Sequence, residues 1–98
     1  MKQNIVNQLQ NFFPAYPIEK AWMFGSYARN EETRTSDVDI MVRFDKNVTI
    51  TLFDYAGIML DLESLLRKKV DLVSEGTLYD FAKESVEKEK ILIYERKN

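Results

Sequence analysis

The sequence predicts an α/β (α+β) fold, a small mixed β-sheet flanked by helices, and three observations carry that expectation. Residues 37 to 44 alternate polar and apolar with a period of two. Residues 5 to 13 and 51 to 66 carry apolar side chains at helical spacing. The other strand-like runs are short and mostly separated by segments of helical pattern.

Ile5, Val6, Leu9, Phe12 and Phe13 recur three and four apart, which predicts an amphipathic opening helix ending before Pro14. Pro14 and Pro17 bracket a turn. Ile18 to Phe24 follow as a strand, with Ala21 and Met23 on one face and Trp22 and Phe24 on the other. Apolar side chains on both faces predict a central strand covered on both sides. The strand ends at Gly25, and Ser26 is placed to N-cap a short helix through Tyr27, Ala28 and Arg29.

Asp37 to Phe44 form the next strand, with Val38, Ile40, Val42 and Phe44 on the core face and Asp37, Asp39, Met41 and Arg43 on a partly open one. Thr51 and Asp54 resemble a capping box with Asp in place of Glu. Leu52, Phe53, Ala56, Met59, Leu60, Leu62 and Leu66 continue at helical period as a long packing helix. Arg67, Lys68 and Lys69 close it, which suits the negative end of the helix dipole. Val70 to Val73 make a third strand and Gly76 a turn. Thr77 with Asp80 reads as the N-cap of a helix through about Lys88, and Ile91 to Tyr94 as a final strand. No repeat or linker divides the chain, so one domain over residues 1–98 is expected.

Trp22, Phe24, Phe44 and Phe53 are expected in the core. Phe12, Phe13 and Tyr16 either cap that core or belong to a partner surface, and the charged run from Lys83 to Lys90 reads as a solvated helix face.

Composition narrows the chemistry. With no cysteine and no histidine among 98 residues, thiol nucleophiles, disulfides, zinc fingers and imidazole bases are excluded together. Carboxylates must then do any acid-base or metal work, and oxygen ligands point to Mg²⁺ or Mn²⁺. A net charge of −2 argues against a broad basic face for polynucleotides. No apolar run approaches the roughly 20 residues of a membrane span, and the first residues lack the apolar core of a signal peptide, so a cytoplasmic protein is expected.

Three carboxylates stand out. Asp37 and Asp39, on one face of a strand, would have α-carbons roughly 7 Å apart and could converge on hard cations. Asp71 interrupts the apolar strand Val70 to Val73, a costly place for a charge unless it is paired, exposed at a sheet edge or bound to a metal. If that strand lies beside Asp37 to Phe44 with matching faces, all three carboxylates meet. Gly25 and Ser26, between a strand and a helix, could present backbone N–H groups to a phosphate. Each feature also has a plainer reading: Asp37 and Asp39 as a solvated strand start, Gly25-Ser26 as a simple strand exit, Asp71 as a partner of Lys68 or Lys69, and Arg29 as a partner of Glu31 or Glu32.

Taken together, Gly25-Ser26-Tyr27-Ala28-Arg29, then Ser36-Asp37-Val38-Asp39-Ile40, then Lys69-Val70-Asp71-Leu72-Val73 resemble the minimal nucleotidyltransferase family of the DNA polymerase β-like superfamily, over roughly residues 5 to 95. Asn30 stands where many relatives have Gly, and Asn tolerates the left-handed conformation better than most residues. The resemblance implies a polymerase β-like nucleotidyltransferase fold and two Mg²⁺ ions, or Mn²⁺, on Asp37, Asp39 and Asp71. It also implies ATP phosphates at Gly25, Ser26 and Arg29. Short members often act as antitoxins that transfer AMP from ATP to a tyrosine of a HEPN-domain ribonuclease toxin, which makes a HEPN protein the expected partner. Two other functions remain open at this point: an antitoxin that neutralises its partner by binding alone, and an enzyme modifying a small hydroxylated molecule.

Overall fold

The computed structural model describes residues 2–77 and 80–97. Four helices and four strands follow in the order α1 (Lys2–Phe12), β1 (Ile18–Phe24), α2 (Gly25–Ala28), β2 (Val38–Phe44), α3 (Leu52–Leu66), β3 (Val70–Ser74), α4 (Asp80–Glu89) and β4 (Ile91–Glu95), with a 3₁₀ turn at Phe13–Ala15. The strand order is β3-β2-β1-β4. β1 runs antiparallel to β2 and β4, whereas β2 and β3 are parallel and joined through α3, so the sheet is mixed as expected.

One face of the sheet buries Ala21, Met23, Val38, Ile40, Val42 and Leu72 against Leu9 and Phe13 of the N-terminal segment and Ile58, Leu62 and Leu66 of α3. The other face gathers Trp22, Phe24 and Met41 against Val86 of α4. β1 is therefore covered on both sides, which explains its apolar residues at successive positions. α4 is held further by Lys90, whose ammonium lies 4.6 Å from the Trp22 ring centroid.

Phe13 is fully buried. Phe12 stacks on Tyr16 with ring centroids 4.4 Å apart, and the Tyr16 hydroxyl donates to Asp61 Oδ2 at 2.8 Å. These aromatics close the core. The capping box of α3 forms reciprocally: the Asp54 N–H donates to Thr51 Oγ1 at 3.1 Å, and the Thr51 N–H donates to Asp54 Oδ2 at 3.0 Å. The expected cap of α4 involves residues 78 and 79, which lie outside the described ones; the Thr77 hydroxyl donates to the Ser74 carbonyl.

Three expectations need correction. Phe53 is 91% exposed, together with Leu52, because α3 packs through Ile58, Leu62 and Leu66 and turns its first apolar residues outward. Ser26 does not cap α2. Phe24 occupies the cap position and the Gly25 carbonyl accepts from the Arg29 N–H at 3.1 Å, so Ser26 lies inside the first turn. β2 begins at Val38, leaving Asp37 in the preceding loop.

Candidate active site

The site is built at one end of the sheet, on the face covered by α4. Parallel pairing of β2 with β3 sets Asp39 directly beside Asp71, with Val38 opposite Val70 and Ile40 opposite Leu72. The two carboxylates thus share a face by register. Asp37 enters from the loop, where the Thr33 N–H donates to Ser36 Oγ at 2.8 Å and the Ser36 N–H donates to the Thr33 carbonyl at 3.2 Å. That closed turn delivers Asp37 to the start of β2.

Asp71 is exposed on an edge strand, which is how its charge is tolerated. The alternative partner Lys68 turns elsewhere, its Nζ donating to the Arg34 carbonyl at 3.0 Å.

Electrostatics ties the carboxylates together. Burial pushes the Asp39 carboxyl from its ordinary 3.8 up to about 6, and the charges of Asp71 and Asp37 add to the effect, only partly opposed by Arg29. An anion crowded by two others is a group whose ionised form gains from a cation. The donors are all carboxylate oxygens, which suits Mg²⁺ or Mn²⁺. Among the described residues no three acidic side chains are already drawn together closely enough to hold an ion. The set fits by donor chemistry and shared charge, with the side chains not yet gathered around a centre.

Gly25 sits against this group. It follows Phe24, which pairs with Asp39 across β1 and β2, and it turns the chain with φ of 72°. A β-carbon at this position would overlap Asp39 Oδ2 and stand 2.9 Å from the Asp39 carboxyl carbon. Only glycine combines the left-handed backbone with room for that carboxylate. α2 then ends in a left-handed residue, Asn30 with φ of 60°, where the Glu31 N–H donates to the Ser26 carbonyl at 2.9 Å and the Asn30 N–H donates to that of Tyr27 at 3.3 Å. Asparagine thus serves the turn that relatives were expected to make with glycine.

Arg29 projects from the end of α2 and is held by two acids. Its Nε donates to Glu31 Oε1 at 2.8 Å, and its Nη1 donates to Glu89 Oε2 at 3.0 Å. Glu89 also accepts the Gly25 N–H at 3.0 Å. Sequence reasoning placed Glu89 in a solvated run and missed it. The available signal was its position three residues after the buried Val86, on the same helix face.

The sequence profile of the family described as polymerase beta, nucleotidyltransferase matches residues 7–98. A candidate protein adenylyltransferase of Methanocaldococcus jannaschii is 38% identical over 79 residues, which cover 80% of this chain and 79% of that protein. A solved structure described as a candidate minimal nucleotidyltransferase is 33% identical with a TM-score of 0.67, covering 92% of this chain and 86% of its own. A chain in the complex of tri-AMPylated Shewanella oneidensis HEPN toxin with MNT antitoxin has a TM-score of 0.73 at 20% identity, covering 98% and 74%, a likeness of fold.

Proposed function

This chain belongs to the polymerase beta nucleotidyltransferase family, and from that premise we propose that it transfers AMP from ATP to a hydroxyl of a partner protein, a tyrosine of a HEPN-domain toxin, as a cytoplasmic antitoxin. The observation that carries this reading is the register of Asp39 beside Asp71, with Gly25 packed against the same carboxylate. The M. jannaschii relative named for protein adenylylation and the AMPylated HEPN complex support the choice of acceptor.

Asp37, Asp39 and Asp71 would hold Mg²⁺ or Mn²⁺, which when bound supplies charge neutralisation for the triphosphate and a lowered pKa for the attacking hydroxyl. Asp71, exposed on the edge strand, orients the acceptor hydroxyl and takes its proton. The Gly25 N–H, Ser26 and Arg29 hold the β- and γ-phosphates, so that attack falls on the α-phosphorus and pyrophosphate leaves.

The test is incubation of the purified chain with α-labelled ATP, Mg²⁺ and a purified HEPN-domain protein, beside an Asp37→Asn, Asp39→Asn double variant. Label on the HEPN protein with wild type alone is the expected result. No label, with a stable complex still formed, would replace transfer with neutralisation by binding; label on a small hydroxylated compound alone would replace the acceptor.

A further inference from the structure

Glu89, the last residue of α4, engages both groups assigned above to the triphosphate. Its Oε1 accepts the Gly25 N–H at 3.0 Å and Arg29 Nη1 at 3.2 Å, and its Oε2 accepts the same Nη1 at 3.0 Å. The Glu89 side chain is only 20% exposed, whereas the other acids of the same run, Glu84 and Glu87, are 79% and 45% exposed. The contact is therefore a packed feature of the site rather than one more surface ion pair.

A carboxylate and a phosphate oxygen make the same demand on a peptide N–H and a guanidinium: a charge-assisted hydrogen bond from each. Both cannot be served at once by one N–H. Resting on the nucleotidyltransferase reading, we propose that Glu89 is an internal ligand of the phosphate subsite, exchanged for a nucleotide phosphate oxygen on binding, and that it thereby sets nucleotide affinity.

The surroundings fit an exchange by side-chain rotation. Val86, one turn earlier, is buried against Trp22, Phe24 and Met41, and Lys90 stacks on Trp22, so the end of α4 stays seated when the Glu89 carboxylate leaves. Arg29 keeps its Nε bond to Glu31 and so remains aimed at the subsite.

The test is calorimetric titration of the full chain with ATP and, separately, with inorganic tripolyphosphate, for wild type, Glu89→Gln, Arg29→Ala and the double variant. Glu89→Gln should bind both polyanions roughly fivefold to tenfold tighter, the worth of one displaced charge-assisted contact. The gain should shrink in the Arg29→Ala background, where only the Gly25 N–H still engages Glu89, and KM for ATP should fall with kcat changed less. If Glu89→Gln does not fold, Glu89→Asp, too short to span both donors, should show the same gain. Equal or weaker binding by whichever variant folds, or no binding by any of them, would overturn the proposal. A wild type that transfers AMP without a gain in the variant rejects the role of Glu89 alone, whereas a tighter-binding variant of a chain that transfers nothing rejects the transferase and leaves the exchange standing.

Discussion

Gly25 and Asp39 share one space: the hydrogen where Gly25 lacks a side chain faces the Asp39 carboxyl, and a β-carbon there would stand 2.9 Å from its carbon and 3.2 Å from its own β-carbon. Gly25→Ala would meet two costs, the strain of φ at 72° for an L side chain, about 1–2 kcal/mol, and displacement of the carboxylate. Because small misplacements at a reacting centre are expensive, AMP transfer should drop about a hundredfold or more. Transfer rates alongside a thermal melt check this. A variant that melts lower and transfers normally would show that the close approach is unimportant.

The raised pKa of Asp39 predicts how stability follows pH. In the folded chain its carboxyl titrates at about 6, against 3.8 as the ordinary value, so folding favours the protonated form. The favourable contribution is complete below about pH 3.8 and is lost as pH rises through about 6. Asp39→Asn removes the penalty of ionisation. Its melting temperature should exceed that of wild type at about pH 8, by the equivalent of about 1 kcal/mol once solvent screening of this half-buried group is counted, and should match it near pH 4. Millimolar Mg²⁺ should raise the wild-type melt at the higher pH and leave Asp39→Asn unmoved. A variant that melts below wild type throughout would contradict the crowding of charge at this site.

Activity should separate the two halves of the site. Asp39→Asn removes a charge that matters most when charge develops in transfer, so it should cost several thousandfold in rate. Ser26→Ala should cost only about tenfold to a hundredfold, because backbone N–H groups remain to hold the phosphates. Its melt should stay close to wild type, since Ser26 lies within the first turn of α2 and not at its cap. Comparable small losses from both substitutions would remove Asp39 from the chemistry.

The fold was legible where period and chemistry agreed. β2 alternates except at Met41, which is buried under α4, the Thr51 and Asp54 pair has the spacing of a reciprocal cap, and Asp71 declared itself as a charge in an apolar strand, so the strands that bring Asp39 beside Asp71 were all visible. The parallel register was conditional on two strands being neighbours, which no local pattern specifies. Glu89 was hidden for the opposite reason. Its neighbours Glu84, Glu87 and Lys88 carry charge at every spacing, and only the tertiary seating of Val86 singles out one of them. The start of α2 was misread because Gly25, which carries the strained backbone, enters the helix itself, and residue type alone favoured the serine.

The same ambiguity governs α3, whose apolar residues surround more than one face. Leu52, Phe53 and Leu60 point outward while Ile58, Leu62 and Leu66 form the buried stripe at four-residue spacing. Phe53 and Ile58 should therefore respond very differently to truncation. Ile58→Ala leaves a cavity between α3 and the sheet and should cost about 2–5 kcal/mol, a fall of tens of degrees at the upper end for a domain of this size. Phe53→Ser removes a ring that is 91% exposed and should change stability by no more than about 0.5 kcal/mol. Denaturant or thermal unfolding of the two variants reads the difference directly, and a large loss from Phe53→Ser would mean that the first turn of α3 is buried against something in the folded chain in solution.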